Sequence, residues 1–273
     1  MPDPLLAAVN AVMAEVAAEE VMPRWRNLEA SDVAEKAGPD DLVTIADRRC
    51  ELALSDRLAR LLPGSLVVGE EAAAADPAVL ARLHGAGPVW VIDPIDGTSA
   101  FAAGSPDFAL MVALVRDGRS ELGWILAPAL GEITFGGIDH GVWQGTRGNA
   151  PVQLRPAAPP SQLAAMVGIL GKRNITPQRR AELEAKARHF KELEGVTCAG
   201  LDYARLARGD VQFALYSKSE PWDHLPGLGI LAGLGFRAAK HDGTPYRPGD
   251  NTGGLVVAPD AASLDRIRSA MLD

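Results

Sequence analysis

Apolar residues open the chain at helical spacing. Leu5, Leu6, Val9, Val12, Met13 and Val16 fall three or four apart and define one buried stripe. Asp3 can accept the first helical N–H groups and Pro4 fits the first turn, so the pattern predicts a helix that ends before Pro23. Ser31 to Asp41, rich in Gly, Pro and Asp, reads as a loop. A second helix is expected from Thr44, with Thr44 and Asp47 as reciprocal caps. Ile45, Leu52, Leu54, Leu58 and Leu61 would form its buried side, and Pro63-Gly64 its stop.

The period then shortens. Ser65 to Gly69 and Pro88 to Ile92 read as strands that run into acidic residues, with a short helix and a mobile loop expected across Ala72 to Leu83. Phe108 to Val115, Glu121 to Ala127, Glu132 to Phe135 and Gly141 to Gln144 read as a meander, with turn signals at Asp117-Gly118 and Pro128 to Gly131. Beyond the proline-rich Arg155 to Pro160 the patterns alternate. Strands are expected at Leu163 to Val167, Val196 to Cys198, Val211 to Tyr216 and Gly254 to Ala258. Helices are expected at Pro177 to Leu193, Leu201 to Ala207, His224 to Leu234 and after Asp260. The chain thus reads as an N-terminal α+β part, residues 1–155, and a C-terminal α/β part, residues 156–273, packed as one unit.

Charge narrows the function. The 273 residues carry 27 basic and 35 acidic side chains, a formal net charge of −8. That balance argues against a nucleic-acid polymer and against an anionic membrane surface, both of which call for a basic face. Two cysteines, Cys50 and Cys198, exclude a disulfide scaffold and a cysteine zinc cluster, and read as small core residues. No apolar run approaches the ~18 residues of a membrane span. Met1-Pro2-Asp3-Pro4 lacks the basic start of a secretory signal, so a cytoplasmic protein is expected.

The chemistry concentrates in Trp90-Val91-Ile92-Asp93-Pro94-Ile95-Asp96-Gly97-Thr98-Ser99. A buried-looking strand runs into two aspartates, Pro94 directs the chain outward, and Gly97 permits an unusual torsion. Thr98 or Ser99 would cap a following short helix, whose free N–H groups suit a phosphate. Asp93, Asp96 and the Ile95 carbonyl are hard oxygen donors of the kind that hold Mg²⁺, Mn²⁺ or Ca²⁺. Gly69-Glu70-Glu71 at a strand end and Asp223 just before a helix add two more acidic groups. Singly, each has a plain structural role: a turn, a cap, a solvated charge. Together they are what a multi-metal phosphate site needs.

Asp93-Pro94-Ile95-Asp96-Gly97-Thr98 matches the first signature of the inositol monophosphatase family. Trp222-Asp223-His224-Leu225-Pro226-Gly227 resembles its second, Gly69-Glu70-Glu71 its acidic motif, and Lys36…Asp41-Leu42-Val43-Thr44…Asp47 its early motif. The resemblance spans about residues 5–270 and implies the layered αβαβα sandwich of the inositol monophosphatase and fructose-1,6-bisphosphatase type. It implies a phosphoric monoester hydrolase in which a metal-activated water attacks a small phosphorylated substrate, with two or three Mg²⁺ ions or Mn²⁺ in their place. Glu70, Asp93 and the Ile95 carbonyl would hold one ion, and Asp93, Asp96 and Asp223 a second. Glu70 would also help hold a weaker third ion through water. Thr98, oriented by Asp47, would position the attacking water, and Gly97 and Thr98 would offer N–H groups to the phosphate. A homodimer is implied as well.

Other residues carry two readings. Asp47 can serve the Thr44 cap alone. Lys36 can be a solvated charge or a neighbour of the phosphate. Glu71 reads as second to Glu70, His224 as a local hydrogen-bonding group and Trp222 as packing. Lys172 and Arg173 can face the site and bind a second anionic group, or sit in solvent.

The match departs around the substrate's alcohol. The family's inositol phosphatases continue the first signature with polar residues where this chain has Ala100 and Ala103, and Tyr216 falls where they have an inositol-contacting Glu. The usual Gly-Ser/Thr-Ala-Ala run is here Thr197-Cys198-Ala199-Gly200. Inositol phosphate is therefore one expected substrate among others: a bisphosphorylated nucleotide, histidinol phosphate or a sugar phosphate. A metal-binding protein without catalysis is the reading from another class.

Overall fold

Asp3 accepts the Leu5 N–H at 2.7 Å and starts α1 (Pro4–Val16), whose buried face is Leu6, Val9, Met13 and Val16. A π turn, Ala17–Val21, prolongs it. The computed structural model describes residues 2–38, 41–172 and 175–273, with the backbone alone described at positions 30, 36–38 and 41. The expected loop after α1 is instead an antiparallel ribbon of β1 (Val33–Gly38) and β2 (Asp41–Thr44). Its apolar pairs, Val33-Ala34 and Leu42-Val43, are too short to register as strand runs.

In α2 (Ile45–Leu61) the predicted capping box is present: Thr44 accepts from Ala46 and Asp47, and Asp47 accepts the Thr44 N–H. Its buried face differs from the one expected. Leu52 is 73% exposed and Ile45 is also outward, whereas Ala46, Asp47, Cys50, Glu51, Leu54 and Leu58 point inward. Apolar spacing misphases this helix because two of its inward residues are carboxylates.

Next in the chain come β3 (Leu66–Gly69), α3 (Glu70–Ala75), β4 (Val89–Asp96), α4 (Thr98–Ala102), β5 (Ala109–Arg116), β6 (Arg119–Ala127), β7 (Glu132–Gly137), β8 (Gly141–Thr146) and β9 (Val152–Leu154). The strands form one sheet in that order, parallel between β3 and β4 and antiparallel thereafter. Between α3 and β4, a 3₁₀ helix (Pro77–His84) capped by Asp76 replaces the expected mobile loop.

The remainder supplies β10 (Val167–Leu170), α5 (Pro177–Lys186), β11 (Glu192–Gly195), α6 (Ala199–Arg208), β12 (Phe213–Tyr216), α7 (Pro221–Ala232), β13 (Arg237–Lys240), β14 (Leu255–Ala258) and α8 (Ala261–Met271). These five strands are ordered β11-β10-β12-β14-β13, parallel on one side and antiparallel on the other. Several expected limits shift. Leu163–Ala165 is a 3₁₀ turn, so the strand there starts at Val167. The helix expected to reach Leu193 stops at Lys186, and the strand expected at Val196 to Cys198 lies at Glu192–Gly195. β13, Arg-Ala-Ala-Lys, has no apolar run to announce it.

The pleat sorts the core. On β5, Leu110, Val112 and Leu114 face α1 and α2 with Trp90, Ile92 and Trp124. Ala109 and Met111 face the opposite way, toward Ala199 and Tyr203 of α6 and Ile230 of α7, which also meet Ile169, Ala214 and Val257 of the smaller sheet. Leu183, Leu264, Ile267 and Met271 of α5 and α8 cover that sheet's outer face. The layers therefore run α1/α2, seven strands, α6/α7, five strands, α5/α8. Contact between α7 and the large sheet is close: a Cβ on Gly123 would lie 1.9 Å from the Pro226 carbonyl oxygen. Among the described residues no helix is long and apolar enough to cross a membrane.

Candidate active site

β4 pairs regularly with β5 as far as Asp93↔Met111, then the register shifts before Asp96↔Ala109. Pro94 has no N–H for the ladder, and the strand accommodates it by this irregularity instead of ending. Gly97, and not Thr98 or Ser99, occupies the cap position of α4, with φ +88°. A Cβ there would lie 2.9 Å from the Asp107 carbonyl oxygen, so both torsion and space require glycine.

Asp93, Asp96 and Asp223 each place a carboxylate oxygen within 4.8 Å of the others. Asp223 lies in the first turn of α7, which starts three residues earlier than expected because Pro221 suits a first turn. Asp96 Oδ2 accepts the Gly200 N–H at 2.6 Å, which ties β4 to the start of α6. Glu70 opens α3 at the end of β3, and Gly69 pairs with Ile92, so Glu70 lies at the same strand ends as Asp93.

The electrostatics follow from this crowding. Asp93 is 2% exposed. Burial, then the charges of Glu70, Asp96, Asp223 and Asp47, pushes its pKa well above the usual carboxylate range. Burial, then Asp96 and Glu70, does the same to Asp223. The Asp93 Oδ1 atom is buried without a hydrogen-bond partner among the described residues. Converging carboxylates of this kind are relieved by a hard divalent cation, and the donor set fits one.

Beside the cluster, Thr98 Oγ1 lies 3.2 Å from Asp47 Oδ1 and 2.9 Å from the Ile95 carbonyl, two acceptors that share its one proton. Asp47 is fully buried, and its Oδ2 accepts the Thr44 N–H at 2.7 Å and the Thr44 hydroxyl at 2.6 Å. Asp47 thus serves the α2 cap and Thr98 together.

The other sequence candidates divide. His224 is buried between Tyr203 OH, 3.0 Å from Nδ1, and the Lys218 carbonyl, 3.0 Å from Nε2, and burial lowers its pKa to about 4. Trp222 packs beside Leu225 and Val91. Glu71 lies in the first turn of α3, not at a strand end. Lys172 pairs with Glu184 at 2.8 Å. The Lys36 side chain and Arg173 lie outside the described residues. Ala103 is exposed, whereas Tyr216 is buried and stacked on Tyr203 with ring centroids 5.6 Å apart.

Sequence reading missed two carboxylates, Glu51 and Asp202. Both sit among apolar residues on helices, where only an acidic residue on the inward face could have signalled them. Asp202 on α6 is fully buried, and neither carboxyl oxygen has a partner of bonding geometry among the described residues. Burial first and Asp96 second push its pKa up to about 8, against an opposing effect of the Thr197 backbone. The folded state therefore holds a proton here that the unfolded chain releases above about pH 4, so this contribution to stability is lost as pH rises toward about 8. Asp202→Asn should remove that loss. Its stability relative to wild type should rise between about pH 5 and about pH 8, by on the order of 3 kcal/mol, read as a growing difference in melting temperature. A pH-independent difference would mean that Asp202 is ionised in the fold.

Alternating helix and sheet layers, with an acidic cluster and a hydroxyl–carboxylate pair at the end of β4, define a layered α+β protein with a candidate hydrolytic centre. The profile of the inositol monophosphatase family matches residues 1–270, and the chain belongs to that family. It is 30% identical over 243 residues to the inositol-1-monophosphatase of Mycobacterium leprae, covering 88% of this chain and 81% of that one. It is 26% identical over 242 residues to the 3′(2′),5′-bisphosphate nucleotidase CysQ of Escherichia coli, covering 86% and 92%. The solved structure of inositol monophosphatase-II from Staphylococcus aureus matches with a TM-score of 0.80 at 22% identity, covering 99% of this chain and 94% of that one. The family's members are phosphomonoesterases, and this chain is a phosphatase.

Proposed function

We propose that the protein hydrolyses small phosphate monoesters with Mg²⁺ as its cofactor, and that inositol 1-phosphate is one substrate among several. The observation that carries this reading is the convergence of Asp93, Asp96 and Asp223 beside the Thr98–Asp47 hydrogen bond. Asp93, Asp96, Asp223, Glu70 and the Ile95 carbonyl would hold the cations. When bound, these neutralise phosphate charge and acidify a water molecule. Thr98 spends its proton on Asp47 and Ile95, so its oxygen lone pairs remain to accept a hydrogen bond from the attacking water. That hydrogen bond would orient the water for attack on phosphorus. The water oxygen would bond to phosphorus as the phosphorus–ester oxygen bond breaks; one water proton ends on the departing ester oxygen, giving the alcohol, and the other stays on inorganic phosphate. The start of α4 at Gly97 and Thr98 would offer N–H groups to the phosphate. A cytoplasmic homodimer belongs to the same reading.

Specificity should be shallow. Ala100, Ala103 and the buried Tyr216 offer the alcohol few polar partners, and discrimination between alcohols depends on such partners. The CysQ relative makes a bisphosphorylated nucleotide the second substrate to examine. The test is phosphate release from inositol 1-phosphate, a nucleoside monophosphate, a 3′,5′-bisphosphorylated nucleoside and glycerol 2-phosphate, with Mg²⁺ and with excess EDTA. Turnover of several esters, abolished by EDTA and restored by Mg²⁺, is expected. Full activity in EDTA would remove the metal reading, and an isolated preference for one ester the specificity reading.

A further inference from the structure

Glu51 follows Asp47 by one helical turn on α2 and is 7% exposed. Its Oε2 accepts the Glu71 N–H at 2.7 Å and its Oε1 accepts the Ala72 N–H at 2.9 Å. These are the second and third amides of α3, the groups that a capping side chain normally satisfies. α3 has no such side chain of its own, because its cap position is Gly69. Glu51 therefore caps α3 from a different helix, with a charge-assisted bond to each amide.

The fit is close. A Cβ on Gly69 would lie 2.2–2.5 Å from three atoms of the Glu51 carboxylate. Gly69 has φ −110°, ordinary for any residue, so glycine is needed there for space and not for torsion. The backbone that launches Glu70 is thus held between Gly69, pressed against Glu51, and the Glu71 and Ala72 amides that Glu51 binds. α2 presents two buried carboxylates one turn apart: Asp47 reaches Thr98 of α4, and Glu51 reaches the first turn of α3.

We propose that Glu51 is a positioning residue that holds Glu70 at the acidic cluster and so sets the protein's affinity for its divalent cation without touching it. This rests on the reading that Glu70 contributes to the cation site. Groups that orient a metal ligand in this way typically govern about 10–100-fold in metal affinity.

The experiment is Mn²⁺ binding by calorimetry to wild type, Glu51→Gln, Glu51→Ala, Gly69→Ala, the Gly69→Ala/Glu51→Ala pair and Glu70→Gln, with Mg²⁺ half-saturation of activity beside it. Glu51→Gln keeps the volume and one acceptor, so the chain should still fold. Both Glu51 variants should weaken Mn²⁺ binding and raise the Mg²⁺ half-saturation about tenfold, with substrate KM at saturating Mg²⁺ within about twofold of wild type. Gly69→Ala should do the same, because its methyl group takes the carboxylate's place. The pair should be no worse than Glu51→Ala alone, since the steric conflict is then gone. Glu51 variants that melt earlier yet bind Mn²⁺ like wild type, while Glu70→Gln weakens binding, would overturn the proposal and leave Glu70 as a ligand. A Glu70→Gln variant that binds normally would overturn both.

Discussion

Replacing Asp93 by Asn is expected to lower turnover by roughly 10³-fold or more, about 4 kcal/mol of transition-state stabilisation, in a chain that still folds. Asp93 is the most enclosed carboxylate of the cluster, and Glu70, Asp96 and Asp223 all bear on it. Asn keeps its volume and removes one of the converging charges. Without cations, like-charge repulsion in the cluster falls, so the variant should melt no earlier than wild type in EDTA. With Mg²⁺ the order should reverse. A cation that binds only the folded state stabilises it by an amount that grows with the logarithm of its affinity, and the variant loses that gain. Melting curves with and without Mg²⁺, beside kcat, are the measurement. A variant that keeps more than about a tenth of wild-type turnover would remove Asp93 from the reacting centre.

Thr98→Ala should have the second largest effect, a fall in kcat of about 10²-fold with KM changed by less than about threefold. The hydroxyl sits 3.2 Å from Asp47 and 2.9 Å from the Ile95 carbonyl, and on the proposed reading it orients a water and leaves ground-state binding to the rest of the site. Thr98→Ser restores the oxygen and should recover most of the turnover. If Thr98→Ala raises KM and spares kcat, its hydroxyl grips the phosphate and does not orient the nucleophile.

The legible parts of this molecule are those written in consecutive residues. Asp93, Asp96, Gly97 and Thr98 occupy one strand end and the turn after it, so their order along the chain is nearly their order in space. The meander was legible because its strands follow one another and pair with their neighbours. What stayed hidden depends on partners far away in sequence. Glu51 reads as a solvated helix residue until Gly69 and α3 are laid against it. Asp202 gains its character from enclosure, which a sequence does not express. The face of α2 was misread because Ile45 and Leu52 are apolar yet outward, while Asp47 and Glu51 are charged yet inward. β1, β2, β9 and β13 were missed because their backbone pairing is not backed by apolar runs.

The division of the cluster between two stretches of chain sets an order on its assembly during synthesis. The seven-stranded sheet is complete in the chain by Leu154, with Asp93 and Asp96 already in place, but Asp223 follows only with α7. A nascent chain stopped between these points carries Asp93 and Asp96 without Asp223, and an uncovered face at Ala109, Met111 and Ile125, the face that α6 and α7 later close. Three aspartates can grip one cation only after α7 has docked. A cation shared by all three aspartates would therefore stabilise only a chain that has reached α7, so that filling the site and closing α7 onto the large sheet would reinforce one another.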